Sequence, residues 1–183
     1  MSGLYISKSK YCKAVQCPKM LWMEMNKKEL FDDSVMNEAI LQQGSDVGDI
    51  AMGLFGDFVE IPYDNPGKMI ENTAAQIESG VPVIAEASFS YNGLFCSVDI
   101  LKLTESGYEI YEVKSSTEIK EIYYHDVAYQ YYVLTKLGYP FAGAYLVHIN
   151  NQYVRSGALD LDKLFTIENV TEDAEALFRD VEE

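Results

Sequence analysis

Three charged side chains, Asp99, Glu112 and Lys114, lie in two neighbouring apolar segments at a spacing that lets them meet. In an antiparallel hairpin with its turn at 105–106, paired positions sum to 211, so Asp99 falls opposite Glu112. Opposite residues share one face, with Cβ atoms about 4.5–5.5 Å apart. Lys114 projects to the same face because side chains alternate along a strand. A turn at 106–107 would shift the sum to 213.

Two carboxylates and an ammonium group at one point could perform metal-assisted hydrolysis. Mg²⁺ binds one or two carboxylates and keeps several waters. A bound metal neutralises a scissile phosphate and activates a water, and a nearby lysine can stabilise the developing charge. The alternative is a solvent-exposed ion-pair cluster. The apolar neighbours Val98, Ile100 and Val113 indicate the middle of a sheet. Charged side chains are rare in such a buried place unless they are paired or functional.

The surrounding segments predict a mixed α/β sheet. Hydrophobic periodicity and turn residues predict helices over residues 7–25 with an interruption at Pro18, 34–52, 66–78 and 121–137, and strands over 57–61, 81–91, 94–103, 108–114, 142–149 and 152–158. The turns at 92–93 and 105–107 join three strands into an antiparallel meander. Helices packed on such a sheet complete the predicted architecture.

The domain prediction is one unit over residues 1–183, with a core of about 34–150 and an N-terminal helical segment at 7–25. Thr171 is a predicted N-cap for a last helix. That helix runs to the end of the sequence without a C-cap, which indicates a fragment of a longer protein with a further C-terminal domain or a protein partner.

The stretch GLFCSVDILKLTESGYEIYEVKSS resembles the D…(D/E)-x-K pattern of the PD-(D/E)XK nucleases. It is most similar to the RecB-type branch, which includes the CRISPR adaptation exonucleases. The residues that carry the likeness, in chain order, are Gly93, Asp99, Glu112, Lys114, Ser115, Ser116 and Gln130. Gly93 stands further from Asp99 than in the pattern, and Leu134 occupies the place of a motif tyrosine. The resemblance implies a restriction-endonuclease-like core.

The resemblance also implies roles for individual residues. Asp99 and Glu112 would hold Mg²⁺ or Mn²⁺, with the Val113 main-chain carbonyl as an extra ligand. Lys114 would serve the nucleophilic water, and Gln130 would support the site or contact DNA. These four side chains and one carbonyl form the expected catalytic centre.

One motif of the branch is missing upstream. Its members often have a metal-binding histidine after a glycine-rich helical turn, and Gly48 stands at that position here. Asp46, Asp49 or Glu86 could donate a carboxylate instead. Glu86 is the preferred candidate because the strand predicted over 81–91 neighbours that of Asp99. The departure bears on activity more than on fold.

Cys17, in QCPKMLW, matches a cluster ligand of the iron–sulfur members of this branch. The other three ligands normally lie near the C-terminus, and the chain has three cysteines in all, so a cluster is not expected. The simpler interpretation is that Cys17 is a buried thiol on a helix. His125, next to Asp126 on the predicted helix 121–137, is expected to be a surface residue and not a catalytic base.

The net charge of −15 counts against nucleic acid, because DNA-binding surfaces are usually basic. The one basic segment contains Lys8, Lys10, Lys13, Lys19, Lys27 and Lys28. The N-terminus lacks the apolar stretch of a secretory signal, and no apolar run is long enough to cross a membrane. The small number of cysteines, three in all, is consistent with a reducing compartment. A cytoplasmic location is therefore expected.

The leading hypothesis is a metal-dependent nuclease, with exonuclease action on DNA ends or single strands in repair or defence. A second hypothesis is a catalytically inactive nuclease-like domain that binds nucleic acid or a partner protein. The missing histidine and the acidic charge favour this second hypothesis. A third is a metal-dependent hydrolase of small phosphate substrates, which an acidic surface would tolerate better.

Overall fold

The computed structural model describes residues 6–30 and 38–183. The elements in chain order are β1 (Ile6–Ser7), α1 (Lys8–Gln16), α2 (Pro18–Asn26), α3 (Glu38–Ala51), β2 (Val59–Glu60), α4 (Pro66–Glu78), β3 (Val83–Tyr91), β4 (Leu94–Thr104), β5 (Gly107–Lys114), α5 (Glu121–Lys136), β6 (Phe141–Ile149), α6 (Leu161–Leu164), β7 (Phe165–Asn169), α7 (Thr171–Ala176) and α8 (Phe178–Glu182). Positions 34–37 of the predicted second helix lie outside the described residues.

The described strands form one seven-stranded sheet, in the order β2-β3-β4-β5-β6-β7, with β1 paired to β4. Strands β3, β4 and β5 form the predicted antiparallel meander. Strand β6 runs parallel to β5 after the crossover through α5, and β7 is antiparallel to β6. The predicted mixed α/β sheet flanked by helices is confirmed.

Turn chemistry sets both hairpins of the meander. Asn92 and Gly93 have φ of 47° and 84° between the paired residues Tyr91 and Leu94, as a two-residue hairpin loop requires. In the second hairpin, Gly107 approaches the next strand so closely that a Cβ would lie 2.6 Å from the Pro140 carbonyl oxygen. A glycine is therefore required where β5 begins.

The sheet separates two apolar cores. Ile110 belongs to the core beneath α1, α4 and α5, and the next residue, Tyr111, belongs to the core beneath α3 and α6. This alternation within β5 follows from the two-residue period of a strand. In the described part of the chain, no helix combines the length and the apolar character needed to cross a bilayer.

Two predictions near the C-terminus are wrong. Residues 152–158 form no strand; Val154 is 85% exposed and Gly157 takes a φ of 86°, and the strand beside β6 is Phe165–Asn169. Thr171 is not an N-cap but the first residue of α7, and its hydroxyl accepts a 2.9 Å hydrogen bond from the Ala144 N–H of β6. Both differences arise from contacts with β6, which pairs with residues 165–169 and bonds to the Thr171 side chain.

The predicted interruption at Pro18 is confirmed, since α1 ends at Gln16 and α2 begins at Pro18. The expectation for Cys17 is wrong: it lies between the two helices in an extended conformation, and it is exposed. Pro18 accounts for the extended conformation, because the residue before a proline is disfavoured in a helical conformation.

Candidate active site

The β4–β5 hairpin has the register that brings Asp99 to Glu112. Ile100 pairs with Tyr111 and Leu101 with Ile110, so paired positions sum to 211 as predicted, not to 213. The ladder stops at Ile100, one residue short of Asp99. Beyond this point the Asp99 side chain replaces the main chain as the bonding partner of β5, because its Oδ2 accepts a 2.7 Å hydrogen bond from the N–H of Val113.

Glu86 adjoins Asp99 on β3, as expected. Ala85 pairs with Ile100 and Ala87 with Val98, which leaves Glu86 and Asp99 facing each other without a ladder pairing. Glu86 has a φ of 56°, rare for a residue with a side chain. Such backbone strain persists where surrounding structure imposes it and is frequent at functional sites.

This irregularity reverses the faces of both strands. Ile84 and Ala87 belong to the same core although they are three residues apart, and so do Val98 and Leu101. In a regular strand, residues three apart point to opposite faces. Each strand reverses its faces at one unpaired residue, Glu86 in β3 and Asp99 in β4. Both of these residues line the wall of a cavity.

Glu112 is the most enclosed acid of the site, at 3% exposure. Lys8 Nζ lies 2.8 Å from both of its carboxylate oxygens. Lys114 Nζ lies 2.6 Å from Oε1, and Gln130 Nε2 lies 2.6 Å from Oε2. The predicted meeting of Glu112, Lys114 and the helical Gln130 is confirmed. The contact between Lys8 and Glu112 was not predicted from the sequence.

Asp126 completes the arrangement from α5. Lys8 Nζ lies 3.0 Å from Asp126 Oδ1, and Lys114 Nζ contacts Asp126 Oδ2. Each lysine therefore bridges Glu112 and Asp126. The expectation that His125 lies at the surface is wrong, since His125 and Asp126 are both buried under α1, where Tyr11 OH lies 3.1 Å from His125 Nδ1.

We call these six residues the acid–lysine cluster: Lys8, Glu86, Asp99, Glu112, Lys114 and Asp126. A cavity of about 330 Å³ lies beside it, between the sheet and α3. Its lining residues are Gly44, Ser45, Gly48, Asp49, Met52, Glu86, Asp99, Glu112 and Val113. Of the alternative carboxylates, Asp49 reaches this cavity, whereas Asp46 is exposed and bonded to Gln42.

Burial and like charge act together on the acids. Burial raises the pKa of Asp99 to about 7, and the neighbouring Glu112 carboxylate adds to this shift. The pKa values of Asp126 and Glu86 are raised for the same two reasons. Burial would also raise the pKa of Glu112, but the ammonium groups of Lys114 and Lys8 outweigh it and hold that pKa well below its usual range.

The two lysines remain protonated. Burial would lower the pKa of Lys8, yet the carboxylates of Asp126 and Glu112 raise it well above its ordinary value. The pKa of Lys114 is raised in the same way, with Glu112 contributing more than Asp126. At neutral pH, Lys114 can therefore donate hydrogen bonds but cannot act as a base.

The charge balance of the cluster suits a divalent cation. It has four carboxyl groups and two ammonium groups, an excess of two negative charges when all are ionised. Carboxylate oxygens are the ligands that Mg²⁺ and Mn²⁺ prefer, so the donor set fits these ions. In the residues described, no three acidic, histidine or cysteine side chains are already gathered as a metal-binding group.

Three of the six lysines in the basic N-terminal segment pair with acids. Lys8 is 20% exposed within the cluster, Lys13 Nζ pairs with Glu24 at 2.5 Å, and Lys27 Nζ lies 3.8 Å from Glu29. The sequence offered no local signal for Lys8, which stands 104 residues from Glu112. Asp126 could have been noticed, because it precedes Gln130 by one helical turn.

Comparison with known proteins supports the fold class alone. No protein-family model matches the chain, and no curated protein matches it. A solved structure, described as the crystal structure of SSO0001, is similar over 100% of this chain and 75% of its own, with 14% identity and a TM-score of 0.50. At that identity, the similarity shows a shared α/β fold.

Proposed function

We propose that this protein is a metal-dependent nuclease that hydrolyses phosphodiester bonds in DNA. The observation that carries the proposal is that Glu86, Asp99 and Glu112 line one cavity, with Lys114 bonded to Glu112. The likeness of this segment to RecB-type PD-(D/E)XK nucleases supplies the reaction class. DNA ends or single strands, exonuclease action and a role in repair or defence belong to the same proposal.

Asp99 and Glu112 would hold Mg²⁺ or Mn²⁺, with Glu86 and the Val113 carbonyl as further ligands. The metal would neutralise phosphate charge and lower the pKa of a water. Val113 holds the Asp99 carboxylate in place through its N–H, and Gln130 does the same for Glu112. Both acids are therefore positioned before a ligand arrives, which favours a defined coordination geometry.

Lys114 is proposed to donate a hydrogen bond to the attacking water or to a phosphate oxygen. Its Nζ lies 2.6 Å from Glu112 Oε1, so the ammonium group stands beside a proposed metal ligand, where it can stabilise negative charge as it develops. Asp126 anchors the ammonium group from α5. Substitution of Asp126 should thus act through the position of Lys114.

The alternative is a catalytically inactive nuclease-like domain that binds nucleic acid or a partner protein. The observation that favours it is the pair of ammonium groups that already occupies Glu112. The net charge of −15 also agrees with it. A cytoplasmic location is part of either proposal, and the free thiols of Cys12, Cys17 and Cys96 agree with a reducing compartment.

The test is a cleavage assay on end-labelled single- and double-stranded DNA with Mg²⁺, Mn²⁺ or EDTA. We expect metal-dependent products from the wild type and none from Lys114→Ala. Lys102→Ala is the matched control, since Lys102 is a strand lysine that pairs with Glu109 away from the cluster. Equal cleavage by the wild type and Lys114→Ala, or none by the wild type, would contradict the proposal.

A further inference from the structure

We infer that Lys8 competes with a divalent cation for the Glu112 carboxylate, so that the lysine sets the metal concentration at which the site fills. This inference rests on the proposed function, because it concerns the same metal site. It names a residue of α1 as a determinant of metal affinity. Three observations carry it.

The first observation is that Glu112 has no acceptor capacity left. An ionised carboxylate offers about four lone-pair sites, two on each oxygen. Lys8 and Lys114 take those of Oε1, and Lys8 and Gln130 take those of Oε2. Lys8 is the one of these donors that bonds to both oxygens. A cation can bind Glu112 only if a donor leaves, and the departure of Lys8 frees both oxygens at once.

The second observation is that the main chain of Lys8 is held firmly, so the exchange involves its side chain alone. The preceding residues Ile6 and Ser7 pair with Leu94 and Phe95 of β4. Tyr129 OH donates to the Ile6 carbonyl and accepts from the Phe95 N–H. Release of Glu112 by movement of the main chain at residues 6–8 would disturb these contacts, whereas rotation of the four methylene groups of Lys8 breaks none of them.

The third observation is a place for the displaced ammonium group. A second cavity of about 240 Å³ borders Lys8 on the side of Asp99 and Glu86. Lys8 Nζ also lies 3.0 Å from Asp126 Oδ1, and Asp126 is not one of the proposed metal ligands. An ammonium group that leaves Glu112 can therefore keep Asp126 as its carboxylate partner. The lysine can therefore leave Glu112 without becoming a buried, unpaired charge, which would be costly.

The experiment compares Mn²⁺ affinity of metal-free wild type, Lys8→Ala and Lys8→Gln by calorimetric titration, with Lys10→Ala as the control from the same helix. We expect Lys8→Ala to bind Mn²⁺ at least about tenfold more tightly, since a competing charge near the ion is removed. Lys8→Gln, which keeps a neutral donor, should fall between Lys8→Ala and the wild type. Lys10→Ala should equal the wild type.

Folding of each variant is checked by circular dichroism. A Mg²⁺ titration of the wild type, followed through the Lys8 Cε resonance, tests the exchange without any substitution. Unchanged affinity in a folded Lys8 variant, or a Lys8 resonance that does not move while Mg²⁺ binds, overturns the inference. The proposed function survives that outcome if the wild type still cleaves DNA. Absence of metal binding in the wild type and in both Lys8 variants overturns the inference and the proposed function together.

Discussion

Asp99 continues the β4–β5 ladder with its side chain, because its Oδ2 accepts a 2.7 Å hydrogen bond from the Val113 N–H just past the last main-chain pair. The same carboxylate lines the cavity beside Glu86 and Glu112. Asp99 thus has a structural role, through its hydrogen bond with Val113, and a proposed role as a metal ligand at the cavity. Substitutions can separate these two roles.

Asp99→Asn should abolish metal-dependent cleavage while the domain stays folded. Asparagine keeps an oxygen for the Val113 N–H but loses the charge that a metal ligand needs. The measurements are product formation from labelled DNA and the thermal unfolding midpoint. Asp64→Asn, in an exposed loop, is the control. Wild-type cleavage by Asp99→Asn would remove Asp99 from the active site.

Asp99 should also make stability depend on pH. Its folded-state pKa of about 7 lies above its ordinary value of 3.8, so the folded state binds the proton more tightly than the unfolded state. The contribution of Asp99 to the free energy of unfolding is therefore fully present below about pH 4. It is lost as the pH rises through 7.

Between pH 5 and pH 9, we expect the free energy of unfolding of the wild type to fall by about 2 kcal/mol relative to Asp99→Asn. Asp99 is only partly buried, so the effect is smaller than a fully enclosed group would produce. Urea unfolding at each pH in EDTA measures the difference. Parallel pH profiles for the two proteins would contradict the pKa assignment.

Glu112→Ala should destabilise the fold more than most surface changes. It leaves Lys8 and Lys114 with Asp126 as their close partner and removes the nearest of the acceptors of Gln130 Nε2. Removing one member of a buried ionic cluster typically costs about 3–5 kcal/mol. Glu118→Ala, at an exposed position, should change the unfolding free energy by less than about 0.5 kcal/mol. Equal effects of the two substitutions would show that the cluster contributes little to stability.

Gly48→His should strengthen Mn²⁺ binding. Gly48 lines the cavity, and a Cβ built on it meets no atom within 4 Å, so the helix has room for a side chain there. This is also the position at which the RecB-type pattern has a metal-binding histidine.

An added imidazole ligand should tighten the Mn²⁺ dissociation constant about tenfold, which corresponds to about 1.4 kcal/mol. Gly48→Ala is the control, because it adds the Cβ without a ligand atom. Identical Mn²⁺ titrations for the two variants would show that residue 48 does not face the bound ion.

The isolated 183 residues should carry no iron–sulfur cluster. Four thiolates are normally needed and the chain has three cysteines. Cys96 is also buried in the core beneath α5, whereas Cys17 is exposed. Iron and sulfide analysis of protein purified without oxygen measures this directly. A brown protein with stoichiometric iron would contradict the prediction.

Sequence alone determined the local features of this protein. The turn at 105–106 and the alternation of β4 and β5 are short-range effects, so the pairing of Ile100 with Tyr111 could be predicted. The helical position of Gln130 followed from periodicity in the same way. These features made Glu112, Lys114 and Gln130 foreseeable as neighbours.

Tertiary structure decided the rest. Lys8 reaches Glu112 because β1 pairs with β4 and α1 packs on α5, contacts between segments about a hundred residues apart. The same packing buries His125 and Asp126, which look like surface residues when α5 is considered alone. The strained Glu86 arises from two strands that reverse faces together. No periodicity encodes such contacts, since each depends on which distant surface covers a given residue.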